Sequence, residues 1–260
     1  MFWRLDRGKG VLREDRSVVA IRPLAKKFLG AEDENMPEIV TAFDRIVVEV
    51  PEVEAAAAEL AVLLAAESRP VGQGKKLVLL PNTSIELQQG ESDKARIQGL
   101  CLRAPAAADA GSLPVGHTLS DGSGTDLLRS QGAAVSPLLV DHVVLQTRSA
   151  EDCITLYRDR LGIRLALDRE VPEWGGRMLF FRAGKMTLEV IANADTGPST
   201  PRFWGVAFQC GDIEAEHARL TSAGVSLSEI RKGRKPGTRV ATVKSHCLGL
   251  PTLLIEPASD

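Results

Sequence analysis

The chain has 260 residues, 32 Lys+Arg against 34 Asp+Glu, a formal net charge of -2, 44% hydrophobic and 25% charged residues, which is the make-up of an ordinary soluble globular protein and excludes collagen-like, fibrous and disordered classes. Balanced charge lacks the basic excess that phosphate-backbone binding needs, so nucleic acid is not an expected partner. No apolar run reaches the roughly 18 residues of a membrane-spanning helix, and MFWRLDRGKGVLREDR has no export signal, so no membrane partner is expected and the location is read as cytoplasmic.

Residues 1–37 carry mixed charges and one short apolar stretch, Val18 to Ile21, and read as an N-terminal extension, with Met36 as an alternative start. From Phe43 the pattern predicts a strand, then a helix opened by Pro51 with Val53, Ala57, Leu60 and Leu64 on one face. Short strands follow over Lys76–Leu80, Ser84–Leu87 and Arg96–Arg103, with a Pro-Asn turn between the first two. Pro105 to Ser136 is rich in Ala, Gly, Ser and Asp and is read as a loop or connector.

The second half is sharper. LLVDHVVLQT predicts a strand, Ser149 an N-cap with Asp152 three residues on, Ile154, Tyr157 and Leu161 a buried helix face, and Gly162 the stop. MLFFRA and MTLEVIA form a hairpin about Gly184-Lys185. RFWGVAF then restarts the phrase with Asp212 as N-cap, Ile213 and Leu220 buried, and Gly224 as the stop; TRVATVKS and PTLLIEP close the chain as strands. Ser149 and Asp212 lie 63 residues apart, Gly162 and Gly224 62 apart. Such spacing marks two copies of one β-α-β-β-β unit that close a sheet around a cup. Asp44-Arg45 and Ile85-Glu86-Leu87 are a weaker copy of Asp141-His142 and Leu188-Glu189-Val190.

A strand opening on Asp-His, a helix ending in Leu-Gly, a hairpin ending in Leu-Glu-Val and a last strand ending in Leu-Ile-Glu resemble the vicinal oxygen chelate superfamily, which includes glyoxalase I, methylmalonyl-CoA epimerase, extradiol dioxygenases and antibiotic-resistance proteins. The resemblance implies an α+β fold of tandem β-α-β-β-β repeats forming cupped, mostly antiparallel sheets. It implies three parts: the extension 1–37, a degenerate glyoxalase-like module with linker over 38–137, and a glyoxalase-like module with the candidate site over 138–260. Carried over by residue, it gives His142, Glu189 and Glu256 as ligands of one divalent metal (Fe, Mn, Zn, Ni, Co or Mg), with Glu189 or Glu256 doubling as the proton-transfer base. The fourth ligand position falls on Gly205, a departure from the pattern; in the first half Arg45 and Gly99 occupy the places of His142 and Gly205.

The implied activity is metal-assisted lyase, isomerase or dioxygenase chemistry on a small molecule with vicinal oxygens. The alternative is a non-catalytic small-molecule binding or resistance protein. Trp204, beside Gly205, is a substrate-pocket candidate, as are Trp174 and Phe203; of Phe180 and Phe181, the inward-facing one is core. His246, before the last strand, is a pocket acid or base, or an exposed loop histidine. His217 reads as solvent-facing, and His117 has no assigned role. Arg231, Lys232, Arg234, Lys235 and Arg239 are read as a solvated loop or a grip on an anionic tail. Cys101, Cys153, Cys210 and Cys247 read as packed, reduced thiols. Gly72 to Lys76 and Gly122 to Gly124 lack the spacing of nucleotide or nucleophile motifs. Open sheet edges leave a homodimer as an open possibility.

Overall fold

The computed structural model describes residues 39–106, 108 and 111–258; the extension, with Met36, lies outside the described residues. Two mixed sheets carry few helices. The first contains β1 (Ala42–Val50), β2 (Arg69–Gly72), β3 (Lys75–Leu79), β4 (Ser84–Gln89), β5 (Arg96–Arg103) and β6 (His117–Ser120), in the order β2-β3-β4-β1-β5-β6. The second contains β7 (Leu139–Thr147), β8 (Arg164–Val171), β9 (Gly176–Ala183), β10 (Met186–Ala192), β11 (Arg202–Gln209), β12 (Arg231–Lys232), β13 (Arg239–Val243) and β14 (Thr252–Glu256), in the order β12-β13-β14-β11-β7-β10-β9-β8.

In the second sheet each unit begins and ends on neighbouring parallel strands, β7 with β10 and β11 with β14, and the antiparallel pair β7/β11 joins the two units. A parallel return needs a crossover, and each unit supplies a helix for it. The first is α3 (Ala150–Cys153), continued as a wider π-helical stretch over Ile154–Arg160, and the second is α4 (Ile213–Ser222). Both caps are those the sequence predicts: Ser149 accepts from the Asp152 amide and Asp212 from the Ala215 amide. Gly162 and Gly224 end the two helical phrases at φ +68° and +83°, where a side chain would be strained.

The first sheet is a shorter version. The unit β1, α1 (Val53–Leu64), β2, β3, β4 is complete, with β1 parallel to β4. Of a second unit, β5 and its parallel neighbour β6 are present, followed by α2 (Ser123–Ser130). β6 and α2 occupy the stretch read from sequence as connector. α1 begins after Glu52, two residues beyond the predicted Pro51 start.

One core joins the sheets. The side chains that alternate onto the helix-bearing faces, Ile46, Val48, Ile85 and Leu87 from the first and Val143, Leu145, Leu188, Val190 and Phe208 from the second, belong to a single buried cluster with α1 and α4. The opposite faces of both sheets are therefore turned away from the shared core. Polar ties register the modules. The Asn82 amide donates to the Val140 carbonyl (2.7 Å) and accepts from the Val140 amide (3.0 Å). Arg219 of α4 donates to the Val62 and Leu63 carbonyls (3.1 and 2.8 Å). α1 has no basic residue in its last turn, so the neighbouring helix supplies the cation that its carbonyl end favours. All four cysteines are free and buried, and burial raises Cys153 and Cys210 to about 12, so they are packed thiols without thiolate chemistry.

Candidate functional site

Alternation decides which residues can meet. β7 carries a bulge at Asp141, where the pairing with β11 steps from His142↔Ala207 to Val140↔Phe208. The extra residue turns His142, Val144 and Gln146 onto the cup face. On β10 the register Val144↔Glu189 places Glu189 on the same face. The two predicted residues meet: His142 Nε2 lies 3.5 Å from Glu189 Oε2. Both are buried, Glu189 at 0% exposure and His142 at 5%. On the other side, His142 Nδ1 is 2.7 Å from Asp141 Oδ2. Burial pulls the Asp141 carboxyl upward, but the hydrogen bond and charge of His142 win and hold it below its ordinary value. An ionised carboxylate only accepts, so Nδ1 carries the shared proton, and Nε2 is the ring nitrogen turned toward Glu189.

Glu256 requires a correction. On β14, Leu253 and Ile255 share the cup face with Ala207 and Val240, whereas Glu256 follows the alternation of Leu254, which joins the shared core. Its carboxylate accepts from the Ile213 amide at the start of α4 (2.8 Å) and from Arg239 Nε and Nη2 (both 2.8 Å). Glu256 is thus the cap and ion-pair partner of a helix on the opposite face, not a companion of His142 and Glu189. Of the basic cluster, Arg239 is committed to Glu256 and Glu214, and Arg231–Lys232 form β12.

Gly205 stands opposite Val144 on the cup face. A Cβ there would lie 2.5 Å from the Pro251 carbonyl oxygen, which accepts from the Val206 amide (3.0 Å). The residue before β14 thus presses on β11 at the position that the sequence resemblance assigns to a fourth ligand, and no side chain fits without moving backbone. The cup face offers a divalent ion His142 and Glu189 as protein donors; the Gln146 oxygen on the same face is taken by Arg202 (3.1 and 3.2 Å), and Gly205, Ala207, Leu253 and Ile255 add none. Among the described residues no group of three or more His, Cys, Asp and Glu gathers as a metal cage. This donor set falls short of the three protein ligands usual for a catalytic metal.

His246 sits at φ +56° with Nδ1 3.0 Å from Ser245 Oγ, on a loop that packs toward α1 through the Leu248 amide and Glu59 (2.7 Å); it is not brought to the cup. Phe181 is fully buried core, while Phe180, opposite Glu189, is half-buried on the cup face. Trp204 is half-buried at the irregularity between Phe203 and Gly205; the side chain of Trp174 lies outside what is described. His217 is tied to the Ser228 carbonyl (3.0 Å) rather than free in solvent. His117, given no role from sequence, bonds through Nε2 to Tyr157 Oη at 2.7 Å and packs on Phe203. Burial lowers its pKa and raises that of Tyr157 well above the ordinary value, so both groups are neutral at pH 7. No local pattern could have paired residues 40 positions apart on different modules.

Residues 141–242 match the family described as Glyoxalase/Bleomycin resistance protein/Dioxygenase superfamily. A triple mutant of 4-hydroxymandelate synthase from Streptomyces coelicolor is similar in structure over 85% of this chain and 94% of that one, with a TM-score of 0.64 and 15% identity. Methylmalonyl-CoA epimerase from Mycobacterium tuberculosis matches over 46% of this chain and 88% of that one (TM-score 0.38, 24% identity). The Streptomyces coelicolor epimerase in complex with 2-nitronate-propionyl-CoA matches over 46% and 97% (TM-score 0.37, 20% identity). No curated protein matches.

Proposed function

This chain carries a module of the Glyoxalase/Bleomycin resistance protein/Dioxygenase superfamily, and from that premise we propose that the cup of the second module is an enzyme site that moves a proton on a small oxygen-bearing molecule. The observation that carries this reading is the Asp141–His142–Glu189 chain, in which a buried imidazole is held at one nitrogen by a carboxylate and faces a second carboxylate at 3.5 Å with the other. Asp141 orients the ring and stabilises its charged form. Nε2 takes a proton from the ligand, and Glu189, in its dry position, stabilises the resulting imidazolium. The apolar face of Ala207, Val240, Leu253 and Ile255 excludes water and strengthens these interactions.

The test is hydrogen exchange read by NMR on a panel of 2-oxo acids, 2-hydroxy acids and acyl thioesters in heavy water. Catalysed loss of the α-proton signal is expected, falling about a hundredfold or more in His142→Ala and in Glu189→Gln. No exchange in any compound, or exchange undiminished in the variants, refutes the proposal. The same apolar cluster favours one second reading, a binding protein that sequesters a hydrophobic ligand without converting it. Saturable ligand binding that survives both substitutions, with no exchange, supports that reading instead.

A further inference from the structure

Among the described residues, the other module holds an open cleft. The cup face of the first sheet holds a cleft of about 360 Å³, within the range of small-molecule pockets. Its two key side chains stand where His142 and Glu189 stand in the second sheet. Arg45 follows a bulge at Asp44 as His142 follows one at Asp141, and Glu86 pairs with Val47 as Glu189 pairs with Val144. Arg45 Nη1 donates to Glu86 Oε2 (2.8 Å), and Lys75 Nζ to Glu86 Oε1 (3.0 Å). Glu86 is nearly buried at 7% side-chain exposure, while Arg45 and Lys75 keep 29% and 46%. Two cations therefore line the cleft with one carboxylate, and that carboxylate is already engaged by both. Asp44, behind Arg45 at 3.1 Å, is faced by Arg103 at 3.7 Å and is not part of the cleft wall.

We propose that this cleft binds a small organic carboxylate, its anionic end taken by Lys75 and the exposed edge of Arg45 and its body lying against Val47 and the fully exposed Val115. The ammonium has three donors and spends one on Glu86, so two remain to turn toward a ligand. Gln88 and Gln98 add neutral amides on the same wall, which suit a second polar group of the ligand. Gly99 and Gly116, packed closely against each other, make part of the wall from backbone alone. The surplus of positive charge and the exposure of the two cations, beside the apolar Val47 and Val115, specify an anion with an apolar body rather than a cation or a neutral sugar.

The probe pair is benzoate and benzamide, equal in shape and different in charge, titrated into the full chain with amide resonances followed by NMR. Benzoate is expected to shift Gly99, Gly116 and Thr118 saturably, with benzamide at least about tenfold weaker. Lys75→Gln, whose amide can still donate to Glu86, is expected to weaken benzoate about tenfold, the loss of one charge-assisted hydrogen bond, with the dispersed amide spectrum of the fold retained. Lys75→Arg should restore most of the affinity, and His142→Ala should leave it unchanged, which separates this site from the second cup. Equal binding of the two probes, indifference to Lys75→Gln, or shifts confined to the second sheet would overturn the assignment.

Discussion

The two cup faces share a plan and differ in what fills it. Each has a bulged first strand, an acidic residue in the bulge, a glutamate on the parallel partner strand and a glycine on the antiparallel one. Gly99 and Gly205 are equivalent in a physical sense. The Leu100 amide donates to the Gly116 carbonyl (2.8 Å) as the Val206 amide does to Pro251 (3.0 Å), and a Cβ would meet that carbonyl oxygen at 1.9 Å in the first case and 2.5 Å in the second. In both modules of this chain the next strand starts where a side chain on that glycine would have to pass, so each glycine is held by its own neighbour rather than by chance. One sheet then pairs its glutamate with a histidine in a dry site, the other with an arginine and a lysine in an open one.

The comparison can be broken most directly at the glycines. Gly99→Ala should cost about 3 kcal/mol or more in chemical denaturation and Gly205→Ala about 2 kcal/mol, in that order because the first approach is tighter. Gly205→His should destabilise similarly and gain no stoichiometric metal by elemental analysis. Equal or negligible costs would mean that the strand starts can move and that the equivalence is only formal. The link between modules is next: Tyr157→Phe should cost about 1–2 kcal/mol by leaving His117 Nε2 without its hydroxyl, and the cost should vanish in a His117→Phe background.

The smallest effect belongs to Glu256. Glu256→Gln should cost about 1 kcal/mol near neutral pH, by weakening a cap at the start of α4 and the pairing with Arg239, and leave benzoate binding intact. The Arg239 bond, then the Ile213 amide, hold this carboxyl below its ordinary 4.5. Its contribution is therefore present at neutral pH and is lost as pH falls from about 4.5 through the lowered folded value. Denaturation midpoints of Glu256→Gln should accordingly depend less on pH across that acid range than those of the parent.

What could be read in the sequence follows from what is local. Caps at Ser149 and Asp212, stops at Gly162 and Gly224 and the hairpin about Gly184 are decided within a few residues, and they stand where the sequence puts them. His142 and Glu189 were nominated by the resemblance, and strand alternation brings the two together. Glu256 was misplaced because a strand's side chains reverse face at every residue, so an error of one position sends an acid to the opposite side of the sheet. β6 and α2 escaped notice because a four-residue edge strand and a helix with Thr125 as its only buried residue leave little hydrophobic rhythm. In the first module the repeat places Arg45 and Glu86 as the counterparts of His142 and Glu189, but Lys75 joins them only through the pairing of β3 with β4, so the cleft between them could not be foreseen.

The hydroxyl shared by His117 and Tyr157 has a practical consequence. The chain contains a single tyrosine, and it sits where the two sheets touch, with its phenol fully enclosed. Its ultraviolet signature at alkaline pH is therefore an intrinsic gauge of that seam: phenolate should appear only as the halves part, so one absorbance band can time their separation without any label.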